Sequence, residues 1–598
     1  MFTKRPVFIK MRLVTESEAH RMRDWNPVVP QVGIFWGVAL TRKQQRFLLW
    51  FFAIAIVWYF FIANRASYRG FFPNDDLDNI ANARGLVAAD YAKALVRPDP
   101  GGDGYFRAVG YFFYTVLSRI AGLRFWPYVA AIQIIHLVNV LLVFLLARAV
   151  GARPFGACAA ALLFVFHAAA LDIYWQPMYV FDLLCATFTL ICLLAYVYRQ
   201  MTIAIVSFWL AIKCKETCIL LPVVLALLEF WLGSRKWKRL IPFAAISGVI
   251  LIFAFVGNAH RDSDYTFRFT FAAFKTCVLY YARALAFAPY VGLAVLAVPF
   301  IVFSNRRVRW GIATFVLFLA PLLFLPGRLY EAYLYLPLIG LAIAVSFATP
   351  LLAVLLFAAW LPWNYMQIKP YRNQNLAWAA ERFKWFQATR DLVAAHPETE
   401  RFVYDSAPES LTPLGITGAL RALRPPEAST YVAAFGSPEA RDLFGHPPFA
   451  LLTWDSGYHA LRALAGVTDV AYIRLDSSAP AWQLEDGWSG NQGPFRWMEP
   501  IAKARLLRPT GSRRFEVLVY VSQVYIERLH ESRFEVLING TSLGTQVLRE
   551  AKPTRISFAI PNGSEKTAQI EFRVTPPLVG ADIAGALGQP IGGFGFVE

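Results

Sequence analysis

Three aspartates, Asp75, Asp76 and Asp78, fall in the stretch FFPNDDLDNIANARG (71–85), directly behind a long apolar run. Carboxylates so placed can exchange protons with a substrate, bind a cation, or start a helix. Asn74 is positioned to cap such a helix, with Asp75 and Asp76 in its first turn. Each acidic group there contributes only about 0.3–1 kcal/mol through the helix dipole. That accounts for one or two of the three aspartates, but not for their place behind an apolar run. Asp75 and Asp76 are therefore candidate catalytic carboxylates.

Other ionisable residues sit in equally costly positions. Lys215 and Glu216 interrupt two apolar stretches in AIKCKETCILL. They read either as a snorkelling lysine with a local ion pair, or as a cation for a phosphate where the low dielectric strengthens the contact. Arg328 and Glu331 are three residues apart before AYLYLP. They read as an interfacial pair, or as a second phosphate cation held in place by Glu331, the arginine fork suiting two oxygens. Asp182 opens an apolar stretch and reads as a capping carboxylate. His136 and His167 read as hydrogen-bonded core histidines, and HRDSD (260–264) as a solvated loop able to touch substrate. Cys214 and Cys218 flank Lys215 without a second Cys or His pair, which argues against zinc.

The elements that carry these residues are apolar. The chain has 598 residues, 57% hydrophobic and 16% charged, with a mean hydropathy of +0.44. Soluble domains average roughly 45–50% apolar and about 25% charged. The composition predicts a polytopic α-helical membrane protein. About eleven spans are expected: 47–63, 127–147, 155–175, 180–198, 202–212, 218–232, 241–257, 290–303, 311–325, 332–348 and 350–363. Segment 270–288 reads as a helix lying at the membrane interface.

Basic residues orient these spans. Arg42, Lys43 and Arg46, then Arg148 and Arg153, Arg199, Arg235 to Arg239, and Arg306 to Arg309 fall in alternate loops, which the positive-inside rule makes cytoplasmic. The net charge of +18 is explained in this way, and no zinc-finger or RNP-like motif points to nucleic acid. The first outer loop, 64–127, Lys215, Arg328 and the C-terminal region then share the opposite face. About 45 basic and polar residues precede the first span, which is expected to remain as an anchor.

The expected organisation is a cytoplasmic basic segment (1–45), a transmembrane domain (46–363), an extracytoplasmic mixed α/β region (364–505) and a β-sandwich (506–598). In the mixed region ERFVYD and DVAYIRLD read as strands and HALRAL as helix. In the last region RRFEVLVYVS, SRFEVLING, RISFAIP and AQIEFRVTP alternate between turn signals such as Asn539-Gly540 and Asn562-Gly563. The tail has no cysteine and relies on no disulfide.

Taken in order, these segments resemble the GT-C-type glycosyltransferases, membrane enzymes that use lipid-linked sugars. The acidic cluster is similar to their first-loop cluster. RAVGYFFYTVLSRIAGL with AIQIIHLVNVLLVFLLAR (107–148) resembles the following segment of bacterial members and of the transmembrane O-mannosyltransferases. FHAAALDIYWQPMYVFDLL (166–184) resembles their third-to-fourth span connection. AIKCKETCILLPVVLALLEF (211–230) resembles their Ser-Lys-Glu segment, with Cys214 in place of the serine. EAYLYLPLIGL (331–341) resembles Glu-Arg-Tyr-Leu-Tyr-Leu-Pro, with Ala332 in place of the arginine and Arg328 one turn earlier. The resemblance covers roughly 45–363 and leaves the tail out, which has no TPR repeats.

The resemblance implies a hexosyl-type transfer from a polyprenyl-phosphate sugar to an acceptor hydroxyl of a protein or cell-envelope glycan, with inversion, at the outer face of the inner membrane. Asp75 or Asp76 would be the base. Lys215 and Arg328 would bind the donor phosphate, supported by Glu216, Glu331 and Asp182. A phosphate leaving group needs no proton, so one carboxylate suffices. No metal or other cofactor is required, although an acidic cluster could bind a divalent ion. The rival readings are a non-GT-C polysaccharide polymerase, a transporter or flippase of lipid-linked glycans, and an inactive scaffold whose tail binds partners.

Overall fold

A computed structural model describes residues 33–35, 38–97, 107–258, 264, 266–285, 305–465, 467–560, 565–580 and 585–597. It divides into two compact units. One comprises residues up to Gly70 with Leu86–Gln374; the other comprises Phe71–Gly85 with Asn375–Glu598.

The first unit is helical. Among the described residues five helices are long and apolar enough to cross a membrane: Lys43–Arg69, Phe125–Ala149, Pro177–Val197, Arg306–Phe324 and Pro350–Ala395. The bent pair Pro154–Phe166 and Ala168–Trp175 makes a sixth. This is a multi-pass membrane protein with a C-terminal β-rich region. Shorter apolar helices, Ala108–Ala121, Met201–Cys214 and Glu331–Val345, pack among these. The helix Phe271–Leu285 lies within the segment read as interfacial. The expected span 290–303 lies outside the described residues.

The bend in the third apolar stretch has a local cause. The helix stops at Phe166, and His167 adopts an extended conformation, its Nδ1 accepting from the Ala169 amide at 3.2 Å. Asn364 bridges the break: its Nδ2 donates to Phe166 O at 2.6 Å and its Oδ1 accepts from Ala168 N at 2.7 Å. Backbone groups freed at membrane depth must find such partners. Deeper in the unit, His136 Nδ1 meets Tyr335 Oη at 2.8 Å and its Nε2 meets Val165 O at 3.2 Å, so both histidines are buried and hydrogen-bonded. Glycines permit close helix crossings. A Cβ on Gly340 would lie 2.3 Å from Phe315 N, and one on Gly156 would lie 1.9 Å from Ser346 O.

The second unit holds two subregions. Parallel strands Arg401–Tyr404, Tyr431–Ala434 and Phe449–Asp455 form a small sheet, with Ala460–Ala465 added antiparallel to Phe449–Asp455. That last strand is the HALRAL segment, expected to be helical. Six residues cannot distinguish a helix stripe from a strand, and pairing with the buried Phe449–Asp455 decides it. Beyond it lie two packed antiparallel sheets. One contains Arg514–Tyr520, Pro553–Ala559 and Pro590–Val597; the other contains Ile501–Leu507, Ser532–Ile538, Thr541–Leu548 and Thr567–Thr575. Their inner faces bury Phe515, Phe534, Phe572 and Phe594. Tyr472–Arg474 and Arg496–Trp497 also join the first sheet, so the sandwich recruits strands from before residue 506. Asn539 and Gly540 both take positive φ, 50° and 80°, as a two-residue hairpin turn requires. The Asn562-Gly563 signal lies outside the described residues.

The helix Pro350–Ala395 runs through both units and continues past residue 363, across Pro362 and Pro370.

Candidate active site

The candidate residues divide between the units. In the helical unit Lys215 sits in the turn between Met201–Cys214 and Leu221–Trp231. Its Nζ lies 2.7 Å from Asp182 Oδ2 and 4.2 Å from the centre of the Tyr333 ring. The lysine and aspartate side chains are 12% and 9% exposed. Burial opposes the lysine charge, but Asp182 outweighs it and holds the Lys215 pKa above the ordinary value. Glu216 turns away to Arg107, 3.1 Å from its guanidinium, with both side chains about a third exposed. Burial raises the Glu216 pKa, the Arg107 charge lowers it, and the net shift is downward.

This arrangement excludes one alternative and corrects one expectation. Lys215 and Glu216 do not form a local pair, because each reaches a partner on another helix. Asp182 does not cap its helix. The N-cap is Tyr179, and the Asp182 carboxylate, in the first turn, is committed to Lys215.

Arg328 is connected to Tyr333 through the Tyr330 ring. Its guanidinium lies 5.1 Å from the Tyr330 ring, which meets the Tyr333 ring edge-on at 5.5 Å. Glu331 is exposed and opens the short turn Glu331–Leu334. Of the HRDSD run, Asp264 is described; its backbone abuts Gly327, next to Arg328. Cys214 and Cys218 are buried free thiols.

A second polar network forms around Asp172, an ionisable residue that the sequence sets at the end of an apolar stretch without showing its partners. Tyr371 Oη donates to Asp172 at 2.7 Å, and Gln176 Nε2 donates to the same carboxylate at 2.8 Å. Arg372 donates to Asn64 Oδ1 at 2.8 Å and lies over the Trp175 ring. Tyr179 has both Asp172 and Asp182 as electrostatic neighbours. Arg107 escaped the sequence reading. The available signal was an arginine at the head of an apolar helix, a position where unpaired charge is costly.

The acidic cluster belongs to the other unit. Its helix runs Asn74–Arg84 with Pro73 at the N-cap, so Asn74 is the first helical residue and not the cap. Asn74 instead ties to the chain before the helix Pro413–Leu423. Its Oδ1 accepts from Thr412 N at 2.7 Å and its Nδ2 donates to Ser410 O at 3.2 Å. The three aspartates have three fates. Asp75 is half-buried. Asp76 is fully buried and attracts the Arg382 guanidinium. Asp78 pairs with Arg421 at 2.9 Å. Among the described residues no group of three His, Cys, Asp or Glu converges to hold a metal.

No protein-family model matches this chain, and no curated protein matches it. Two cryo-EM structures of the mycobacterial arabinofuranosyltransferase AftD are similar in outline. One is a variant, 12% identical, with a TM-score of 0.37 over 94% of this chain and 61% of that one. The other is 13% identical, with a TM-score of 0.37 over 93% and 58%. The chain thus spans about three fifths of the AftD length. A likeness of this size assigns it neither the AftD substrate nor the AftD reaction.

Proposed function

We propose that this protein is an integral membrane glycosyltransferase of the GT-C type, transferring a sugar from a polyprenyl-phosphate carrier to an acceptor hydroxyl outside the cytoplasm. One observation carries the reading: four sequence segments that resemble the family are joined through ion pairs and a cation–ring contact. Arg107 heads the first, Asp182 lies in the second, Lys215 and Glu216 in the third, and Tyr333 in the fourth. Charged groups at the ends of apolar helices cost several kcal/mol unless paired, and mark functional sites. In this reading Lys215 and Arg328 meet the donor phosphate and stabilise its charge as the glycosyl bond breaks. Asp182, Glu216 and Glu331 support them, with Arg107 added to the set.

In this reading half-buried Asp75 is the base that removes the acceptor proton, and fully buried Asp76 anchors the helix beside Arg382; the difference in their burial supports the choice. The topology is the eleven-span arrangement with a cytoplasmic N-terminus in the inner membrane. The transmembrane domain of 46–363 carries the donor site, and the tail contacts glycan or protein acceptor. The purified protein, given polyprenyl-phosphate sugars, tests this. Asp75→Asn should abolish transfer while leaving donor binding intact, and Lys215→Ala should weaken donor binding. Full transfer by both Asp75→Asn and Asp76→Asn would sink the base assignment. The bent helix pair 154–175 is the observation that favours a flippase, since broken helices line transport sites. Absence of transfer with lipid scrambling in vesicles would decide for it.

A further inference from the structure

We infer that the C-terminal region is the platform that aims the acidic helix, and that Arg421 is the residue that fixes it. This rests on the transferase reading and concerns how its base is positioned. Although Phe71–Gly85 lies far from the tail in sequence, it packs as part of the tail unit. The attachment is continuous along the helix. The Phe71 ring meets those of Phe383 and Phe386, at 5.3 and 5.1 Å. Asn74 fastens the first turn to Ser410 and Thr412. At the far end Arg84 donates to Ala422 O at 2.6 Å and to Arg424 O at 3.4 Å.

Between these ends the two helices touch along backbone. A Cβ on Gly415 would lie 2.4 Å from Asn74 Oδ1, and one on Gly418 would lie 2.4 Å from Asp78 N. Glycine at both positions, three residues apart on one face of Pro413–Leu423, is what lets the acidic helix approach this closely. Arg421, one turn further on, spans the register. One nitrogen reaches Asp78 Oδ1 at 2.9 Å and another reaches Asn82 Oδ1 at 2.8 Å. Asn82 Nδ2 in turn donates to Asp78 Oδ2 at 2.9 Å. The planar fork thus grips acceptors one helical turn apart, which a single ammonium cannot do. Asp78 is two and three residues beyond Asp76 and Asp75, so a slide or rotation of this register moves both carboxylates.

Arg421 is therefore a positioning residue, and the tail is a required part of the active enzyme. Loss of the fork should act on turnover and not on donor affinity. Arg421→Ala should lower kcat about tenfold to a hundredfold, the scale of a 1 Å misplacement, with KM for the donor unchanged. Arg421→Lys, which restores charge and one contact, should recover part of the loss, and Arg421→Gln less. Hydrogen exchange of the full-length protein supplies a readout independent of activity. Amides of 74–84 should exchange faster in Arg421→Ala, while those of Phe125–Ala149 stay protected. Unchanged exchange in 74–84 with unchanged kcat would overturn the inference, as would a loss confined to donor KM. A wild type inactive with every donor would overturn the transferase reading and the catalytic consequence with it, whereas the docking itself stands or falls on the exchange data.

Discussion

Replacing Asp182 by asparagine tests the centre of the proposed donor site. The substitution keeps the shape of the side chain and removes its charge, leaving Lys215 with 12% exposure and no carboxylate at 2.7 Å. At an effective dielectric of about 20, opposite charges that close attract by about 6 kcal/mol, which offsets the cost of taking both from water. Breaking such a buried pair from one side costs about 3–5 kcal/mol, because the remaining charge is stranded. The double variant Asp182→Asn/Lys215→Met should therefore recover most of what Asp182→Asn loses, giving a coupling energy of at least about 2 kcal/mol. Equilibrium unfolding of the full chain in mixed micelles, followed by tryptophan fluorescence, measures all corners of the cycle. The pH dependence supplies an internal check. In the wild type the Lys215 pKa is raised, so its stabilisation is present at neutral pH and lost as pH climbs through the folded value. Without Asp182, burial depresses that pKa, and the deficit should shrink as pH rises toward the ordinary lysine value. An Asp182→Asn protein within about 1 kcal/mol of wild type, with an additive cycle and no relief at high pH, would refute the argument.

Other perturbations test the parts that hold this site. Asn364→Leu strips the bridge across the bend at His167, leaving Phe166 O and Ala168 N without their partner, and should destabilise the helical unit by about 1–3 kcal/mol per group in the same unfolding assay. Gly340→Ala forces a Cβ onto the backbone of Arg306–Leu319 and should cost about 1–3 kcal/mol, whereas Gly248→Ala, with nothing within 4 Å, should not lower stability. In the tail, Arg496 and Asp405 form an ion pair with both side chains fully buried. Asp405→Ala should cost about 3–5 kcal/mol and make the tail the first region cut in limited proteolysis. Asp455 accepts from Ser477 Oγ at 2.6 Å and from the amides of Gly457 and Tyr458 at 3.1 Å, and the serine bond, with the amide bonds adding to it, holds its pKa below the ordinary 3.8. A depressed carboxylate stabilises above its unfolded pKa and loses that contribution as pH falls through the folded value. Ser477→Ala should therefore destabilise the tail at about pH 6 and be closer to neutral at about pH 3, read by the exchange rates of Phe449–Asp455.

How much of this was legible in the sequence depends on the range of the interaction that decides each feature. The Asn539-Gly540 hairpin and the first-turn placement of Asp75 and Asp76 are local outcomes, and reading them needed only turn and helix-end chemistry. Pro362 and Pro370 suggest a break by the same local rules, yet Pro350–Ala395 continues through both. The candidate site falls at the other extreme. That Lys215 and Glu216 need partners follows from their setting between apolar stretches, but which partners does not. Neighbours in sequence looked like neighbours in space, whereas Asp182 and Arg107 reach the site from 33 and 109 residues away. The acidic cluster makes the point most sharply. Its proximity in sequence to the first span suggested a loop of the membrane domain. Gly415, Gly418 and Arg421, more than 330 residues later, carry the contacts that fix it. Nothing in GITGALRAL marks it as a docking strip until a partner helix lies on it. Its glycines three apart read as ordinary helix punctuation, and its arginine as a surface charge. What the sequence does carry is an imbalance: three clustered carboxylates whose nearest basic residues, Arg69 and Arg84, are each six positions away in the chain. Such an excess demands a distant partner, and in this protein the C-terminal region supplies two arginines, Arg382 for Asp76 and Arg421 for Asp78. Asp75 is the half-buried member of the cluster, the position from which the proposed base would act.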